Sequence, residues 1–287
     1  MSNELVIRKA SREEFAVAVD WATAEGWNPG LDDLEAFYAV DPEGFIMGWI
    51  GEKPVSSISV VRYGEGFGFL GFYIVNKDYR GTGVGIATWN AGLAHLEGLT
   101  IGLDGVVDQQ QNYKKSGFSY VGRNVRFSGV PTTRPKKAEN FAVRQVKNAD
   151  LPQLASLDRL SFYATRKAFL HDWCLSQVST NRRSLIVSSN DQIDGFGTIR
   201  KCQTGFKIAP LFAKTHEAAE TLLASLLEHV EHTSNVTLDV PQLNSNAVQL
   251  AETMGLEPVF ETARMLRGGA NPIAWQFVYG ITSFELG

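Results

Sequence analysis

Tyr79-Arg80-Gly81-Thr82-Gly83-Val84-Gly85 joins two segments of opposite periodicity. Ahead of it, the apolar run Phe67 to Val75 predicts a buried strand; behind it, Ile86, Trp89, Leu93 and Leu96 recur at helical spacing. A glycine-rich turn between a strand and a helix presents a row of backbone N–H groups. Gly81, Gly83 and Gly85 carry no Cβ to keep an oxyanion away, and the helix N-terminus adds partial positive charge. Arg80 can offer a fork of donors to the same anion. The stretch therefore predicts a phosphate or pyrophosphate site.

Its details exclude two common phosphate loops. No Lys-Ser or Lys-Thr follows the last glycine, unlike a nucleoside-triphosphate loop, and the glycine spacing is not that of a dinucleotide fingerprint. What remains is Arg-x-x-Gly-x-Gly following Val75-Asn76-Lys77-Asp78-Tyr79. This arrangement resembles the coenzyme A pyrophosphate loop of the GNAT superfamily of N-acetyltransferases. The resemblance implies that Tyr73, Ile74 and Val75 meet the pantetheine arm through their backbone. It further implies that Arg80, Gly81, Thr82, Gly83, Val84, Gly85 and Ile86, with Asn112, hold the remainder of acetyl-CoA.

The flanking segments agree with that family. Leu5 to Arg8 reads as a strand, and Ser11 with Glu14 forms a capping-box pattern ahead of a helix ending at Gly26. A second short helix starts near Leu31. Gly44 to Ile50, Pro54 to Arg62 and Phe67 to Val75 read as three strands joined by tight turns. Beyond the glycine loop and its helix come a strand at Thr100 to Leu103, a short helix at Gln109 to Lys115 and a strand at Tyr120 to Phe127. That order matches the GNAT fold, whose fourth and fifth strands splay to admit the pantetheine arm.

Tyr113, ahead of Gly117-Phe118, matches the family's late tyrosine, which protonates the departing thiolate; a packed tyrosine with a surface hydroxyl is the plainer reading. At a nearby position where relatives often carry asparagine, this chain has Val106. Amine acetylation needs a base, and Asp104 at the end of the fifth strand is the first candidate, with Asp108 second; Asp-Gly after a strand is equally ordinary turn chemistry. Trp27, Asn28 and Tyr38 belong to the loop and helix that border the acceptor groove in this fold, unless the loop packs only on its own helices.

At 287 residues the chain suits two domains. Residues 129–140, polar and proline-bearing, read as a linker between a catalytic domain at 1–128 and a second domain at 141–287. The second half echoes the first. Val236 to Asp239 resembles Ile101 to Asp104, and Gly117, Phe118, Val121 and Arg126 match Gly255, Leu256, Val259 and Arg264 at equal spacing. The architecture predicted is α/β (α+β layered): two tandem GNAT-like domains, each a mixed, mostly antiparallel sheet flanked by helices.

The second copy is degenerate. Ala213-Lys214-Thr215-His216-Glu217 replaces the glycine loop, Glu217 would repel a pyrophosphate, and Ala251 stands at the tyrosine position. A structural or substrate-shaping role is expected of it. His229 and His232 sit in a solvated helix end rather than a metal site, and no metal is expected. The aromatic tail from Trp275 to Phe284 reads as completing a sheet edge or packing between domains.

A net charge of −4 gives no nucleic-acid footprint, and no apolar stretch approaches the ~18 residues a membrane span needs. Met1-Ser2-Asn3-Glu4 does not read as a secretory leader, and Cys174 and Cys202 are expected as free thiols in the cytoplasm. The resulting expectation is an acyl-CoA-dependent N-acetyltransferase for a small-molecule or peptide amine. A non-catalytic acyl-CoA sensor is its main rival. A tandem acyltransferase using aminoacyl-tRNA is disfavoured by the intact loop and the missing basic surface.

Overall fold

The computed structural model describes residues 4–175, 180–269 and 273–287. Met1 to Asn3, part of the segment read above as lacking a leader, lie outside them. The first half runs β1 (Leu5–Lys9), α1 (Arg12–Ala24), α2 (Asp33–Tyr38), β2 (Phe45–Ile50), β3 (Lys53–Tyr63), β4 (Phe67–Val75), α3 (Val84–His95), β5 (Thr100–Val106), α4 (Gln110–Lys115) and β6 (Ser119–Gly129). The second half repeats the order with β7 (Ala142–Gln145), α5 (Leu151–Ser161), α6 (Lys167–Leu175), β8 (Arg182–Ser189), β9 (Gln192–Lys201), β10 (Phe206–Ala213), α7 (His216–Leu227), β11 (Val236–Pro241), α8 (Ser245–Thr253) and β12 (Glu257–Arg267), closing with β13 (Val278–Gly280).

Local chemistry starts the chain as expected. Ser11 Oγ accepts from the Glu14 N–H at 3.2 Å while Glu14 Oε2 accepts from the Ser11 N–H at 2.8 Å, a complete capping box for α1. Phe15, Ala18 and Ala22 then point into the core, spaced three and four apart.

The halves do not carry separate sheets. All the strands of the path join in one order, β1-β2-β3-β4-β5-β12-β6-β11-β10-β9-β8-β7, so each half's last strand has crossed to the other. β12 of the second half pairs antiparallel with β5, Arg264 opposite Asp104; β6 of the first half pairs with β11, Arg126 opposite Asp239. Chain order and spatial division therefore differ. The segment after β6 is also not a free tether. Thr132 N–H donates to Met254 O at 3.0 Å and Arg134 Nη1 to Leu227 O at 2.8 Å, which lays it over the second half.

Two buried ion pairs lock this exchange. Arg264 Nε and Nη2 bind Asp104 Oδ1 and Oδ2 at 2.8 and 2.6 Å, and Arg126 Nε and Nη2 bind Asp239 Oδ1 and Oδ2 at 2.6 and 2.9 Å. All four side chains are buried. Burial disfavours the Arg264 cation, but the Asp104 carboxylate outweighs it and holds the pKa above the ordinary range. Burial likewise works against the Asp239 carboxylate, and Arg126 and Lys207 overcome it and hold that pKa down.

In both halves a parallel strand pair separates part-way along. β4 and β5 pair only over Phe67–Leu70 and Thr100–Leu103, and β10 and β11 only over Phe206–Ile208 and Val236–Leu238. The second gap is filled by the chain itself. β13 lies antiparallel to β10, Leu211 opposite Gly280, and Ile281 N–H donates to Asp239 O at 2.9 Å. The tail then runs buried into the first half, where Tyr63 Oη donates to Leu286 O at 2.9 Å. A Cβ on Gly71 would overlap the Glu285 carbonyl, so glycine there makes room for the tail. Of the two expectations for the tail, packing between the halves holds; β13 fills a gap in the middle of the sheet rather than completing an edge. The first gap stays open.

Removing one partner of a buried pair strands the other charge. Arg264→Leu should therefore cost about 3–5 kcal/mol in urea unfolding, whereas Asp104→Leu combined with Arg264→Leu should recover most of the loss. Equal losses in the single and double variants would contradict this account of the exchange.

Candidate active site

β4 supplies the site's backbone. Opposite Ile58 the ladder with β3 slips, and Phe72 takes a left-handed φ of 44° that side chains rarely adopt. The bulge turns the β4 backbone towards the open gap. Past Val75, Gly81 at φ 78° and Gly83 at φ 92° make the turn into α3, and nothing lies within 4 Å of where a Cβ would stand on either. Gly83 caps α3 without a side-chain bond, and no acid occupies the first turn. The first-turn N–H groups of the helix thus face an open hollow, which fits a pyrophosphate.

The corresponding helix of the second half is closed. Thr215 Oγ1 accepts from the Ala218 N–H at 3.1 Å, and Glu217 stands in the first turn of α7. Sequence and geometry agree that this end repels anions.

A cavity of about 470 Å³ occupies the open gap of the first half. Of the residues singled out in the sequence, Trp27, Tyr73, Ile74, Val75, Arg80, Gly81, Gly85, Asp104 and Tyr113 line it. Leu70, Leu103 and Tyr113 belong to the core beneath α3, whereas Phe72 and Trp27 belong to the core beneath α1. The cavity therefore passes through the sheet between β4 and β5 and reaches both faces.

Tyr113 is well placed and well supported. Its ring stacks on Trp89 with centroids 5.6 Å apart, and a Cβ on Gly105 would overlap it. Burial, with Tyr73 beside it, pushes the phenol pKa up to about 12. The phenol is therefore protonated at neutral pH.

Asp104, the first candidate base, is held in an ion pair. Oδ1 accepts from Arg264 Nε and from Asn124 Nδ2 at 2.7 Å, and Oδ2 accepts from Arg264 Nη2. Burial pushes its carboxyl pKa up, but both oxygens are engaged and the side chain is fully buried. It borders the cavity without being free to take a proton. The second candidate, Asp108, is not among the residues lining the cavity.

Two acceptor-groove expectations also change. Asn28 turns towards the second half, its Nδ2 donating to Thr204 O at 2.8 Å and its Oδ1 accepting from Thr204 N–H at 3.1 Å. Tyr38 donates to Ala10 O at 3.0 Å and packs on Phe45. Neither lines the cavity. Ile86 points outward, Val84 is buried, Thr82 Oγ1 donates back to Tyr79 O at 2.7 Å, and Asn112 Nδ2 donates to Gln109 Oε1 at 2.8 Å. Gln109 rather than Asn112 faces the cavity. Arg80 donates through Nη2 to Glu25 Oε1 at 2.8 Å and through Nε to Val75 O at 3.0 Å.

Sequence reasoning missed Glu25, Phe260, Thr262 and Phe284, all of which line the cavity. Phe260 and Thr262 arrive on the exchanged β12 and Phe284 on the tail. Nothing in their local sequence marks them.

Comparison with known proteins supplies the family. The acetyltransferase (GNAT) family model matches residues 8–118, and an acetyltransferase (GNAT) domain model matches residues 154–280. Holothin acyltransferase of Pseudoalteromonas sp. (strain SANK 73390) is 31% identical over 280 residues, covering 98% of this chain and 94% of that protein. A putative acetyltransferase from Pyrococcus horikoshii has the same fold at TM-score 0.80 and 22% identity, over 99% of this chain and 96% of that one. A tandem GNAT protein from the clavulanic acid biosynthesis pathway gives 0.64 at 13% identity, over 93% and 100%. The molecule is an acyltransferase built from two related halves. It belongs to the GNAT acetyltransferase family, whose members use acetyl-CoA or another acyl-CoA as cosubstrate.

Gly105 offers a test that leaves Tyr113 itself intact. Gly105→Ala forces the ring aside, so steady-state kcat should fall about 10²-fold while acyl-CoA affinity, measured calorimetrically, stays near wild type. An unchanged kcat would show that the ring's position is immaterial.

Proposed function

We propose that the protein is an acyl-CoA-dependent N-acyltransferase, with acetyl-CoA as its donor, acting in the cytoplasm on the amine of a small molecule or peptide. The observation that carries this reading is a cavity that opens on both faces of the sheet. The α3 face offers the pyrophosphate cradle, Arg80 and Tyr113. The α1 face offers a separate approach beside Trp27 and Phe72. A donor and an acceptor entering from opposite faces meet between β4 and β5, which suits direct attack in a ternary complex.

In that complex the β4 backbone from Tyr73 to Val75 pairs with the pantetheine amides as an added strand would, and N–H groups at the bulge polarise the thioester carbonyl. The amine nitrogen attacks that carbonyl carbon. A C–N bond forms, the C–S bond breaks, and the sulfur leaves as a thiolate. Tyr113 gives its phenolic proton to the thiolate and is restored by the proton that nitrogen releases. The products are an amide and free coenzyme A.

The second half, in this reading, carries no acyl-CoA. Its gap is filled by β13 and its helix start is capped and acidic. It lends β12 and the tail to the first half's cavity instead.

Release of free thiol from acetyl-CoA across an amine panel tests the reaction. Wild type should release thiol stoichiometrically with amide formed, and Tyr113→Phe should lose about 10²-fold or more in kcat without weaker acetyl-CoA binding. Tight binding with no thiol release on any amine would make the protein a sensor instead. The tyrosine leaves the mechanism if the phenylalanine variant turns over normally. Because Tyr113 remains protonated up to about pH 12, wild-type kcat should show no falling limb through pH 9.

A further inference from the structure

The α1 side of the cavity is a chamber with an unusual set of walls. Trp27 and Phe72 come from the first half, Phe260 from the exchanged β12, and Phe284 from the buried tail. Arg126 holds two of these rings from behind, its guanidinium carbon 4.8 Å from the Phe284 centroid and 5.9 Å from that of Phe260. Its Nη1 also donates to the Trp27 carbonyl at 2.7 Å. One buried cation, on the first half's exchanged strand β6 and paired with Asp239 of the second half, thus holds three of the aromatic walls.

One polar group stands among them. Thr262 is 2% exposed and lines the cavity, and its Oγ1 has no hydrogen-bond partner. A buried hydroxyl without a partner costs free energy that a ligand can restore. Among the described residues no unpaired carboxylate lines the cavity, and the buried Glu285 beside Phe284 is not part of its lining. Of the two acids bordering the cavity, Glu25 is paired with Arg80 at the pyrophosphate end and Asp104 is locked by Arg264 and Asn124. No histidine lines it.

These facts bear on the acceptor's chemistry. An aliphatic amine resembles lysine, whose pKa is about 10.4, so it arrives as a cation. It would need a counter-charge to enter and a base to take its proton before attack. The lining offers no unpaired group for either task. An amine attached directly to an aromatic ring is uncharged at neutral pH, presents a flat apolar body to the four rings, and attacks without prior deprotonation.

Resting on the acyl-transfer reading above, we propose that the acceptor is a small, flat, weakly basic aromatic amine, oriented by a hydrogen bond to Thr262 Oγ1. The amine lone pair attacks the thioester carbon, the C–S bond breaks, and the proton that nitrogen loses balances the one that sulfur gains. Thr262 touches the acceptor and fixes its angle; it carries no proton in the reaction.

Two isomers separate the possibilities. 4-Methylaniline and benzylamine have the same atoms, but only benzylamine is a cation at neutral pH. With acetyl-CoA as donor and thiol release as readout, kcat/KM for 4-methylaniline should exceed that for benzylamine at least about tenfold and stay level between about pH 6 and 9. Thr262→Val, which keeps the shape, should lower the acceptor kcat/KM about tenfold and leave the KM for acetyl-CoA unchanged. A preference for benzylamine, or turnover on aliphatic amines that stays level through neutral pH, would overturn the proposal while leaving acyl transfer standing. Thiol release with no amine of either kind would instead remove the acyl-transfer reading beneath it.

Discussion

Two carboxylate–guanidinium pairs, Asp104 with Arg264 and Asp239 with Arg126, sit side by side in the middle of one continuous sheet. Each joins a strand of one half to a strand of the other. Because both are buried and bidentate, leaving either charge without its partner is costly, and the exchanged strands satisfy that constraint. The exchange in turn places Phe260 and Thr262 beside the first half's open gap. Asp104 borders the cavity with both its oxygens held by Arg264 and Asn124.

The two halves share an order of elements and differ at the same place twice. Where β4 leaves β5, the gap is empty and a glycine turn opens onto it. Where β10 leaves β11, β13 fills the gap and the helix start carries Thr215 and Glu217. Removing the glycines and closing the space are consistent changes, since a capped, acidic helix end has no anion to receive. What the second half retains is geometry. Its Lys207 reaches the Trp27 carbonyl beside Arg126 of the exchanged β6, Asn28 is clasped by Thr204, and Leu31 N–H donates to Lys201 O at 3.0 Å. The loop that walls the acceptor chamber is thereby fixed from across the interface.

Much of this was legible in the sequence, for reasons that are local. The strand from Phe67 to Val75 and the capping box at Ser11 rest on neighbouring residues, and both are found as expected. Cys174 and Cys202 are buried and unpaired with each other. The glycine turn was readable because only glycine tolerates its φ values. The matches between Arg126 and Arg264, and between Asp104 and Asp239, were visible too, but not their crossing. Equivalent strands carry equivalent residues, so pattern alone cannot say which copy pairs with which. Thr262 and Phe284 were invisible for the same reason, since their meaning depends on where the far end of the chain returns. Asn28 and Tyr38 lay in the right loop and helix but face the interface and the core.

The central claim is one chain, two related halves and one acyl-CoA site. Calorimetric titration of the full-length protein with a non-hydrolysable acetyl-CoA analogue measures it most directly. The account predicts one molecule bound per chain, and none after Gly83→Glu places an acid at the helix start. Two molecules per chain, or one that survives the Gly83 substitution, would place the site elsewhere and contradict the account.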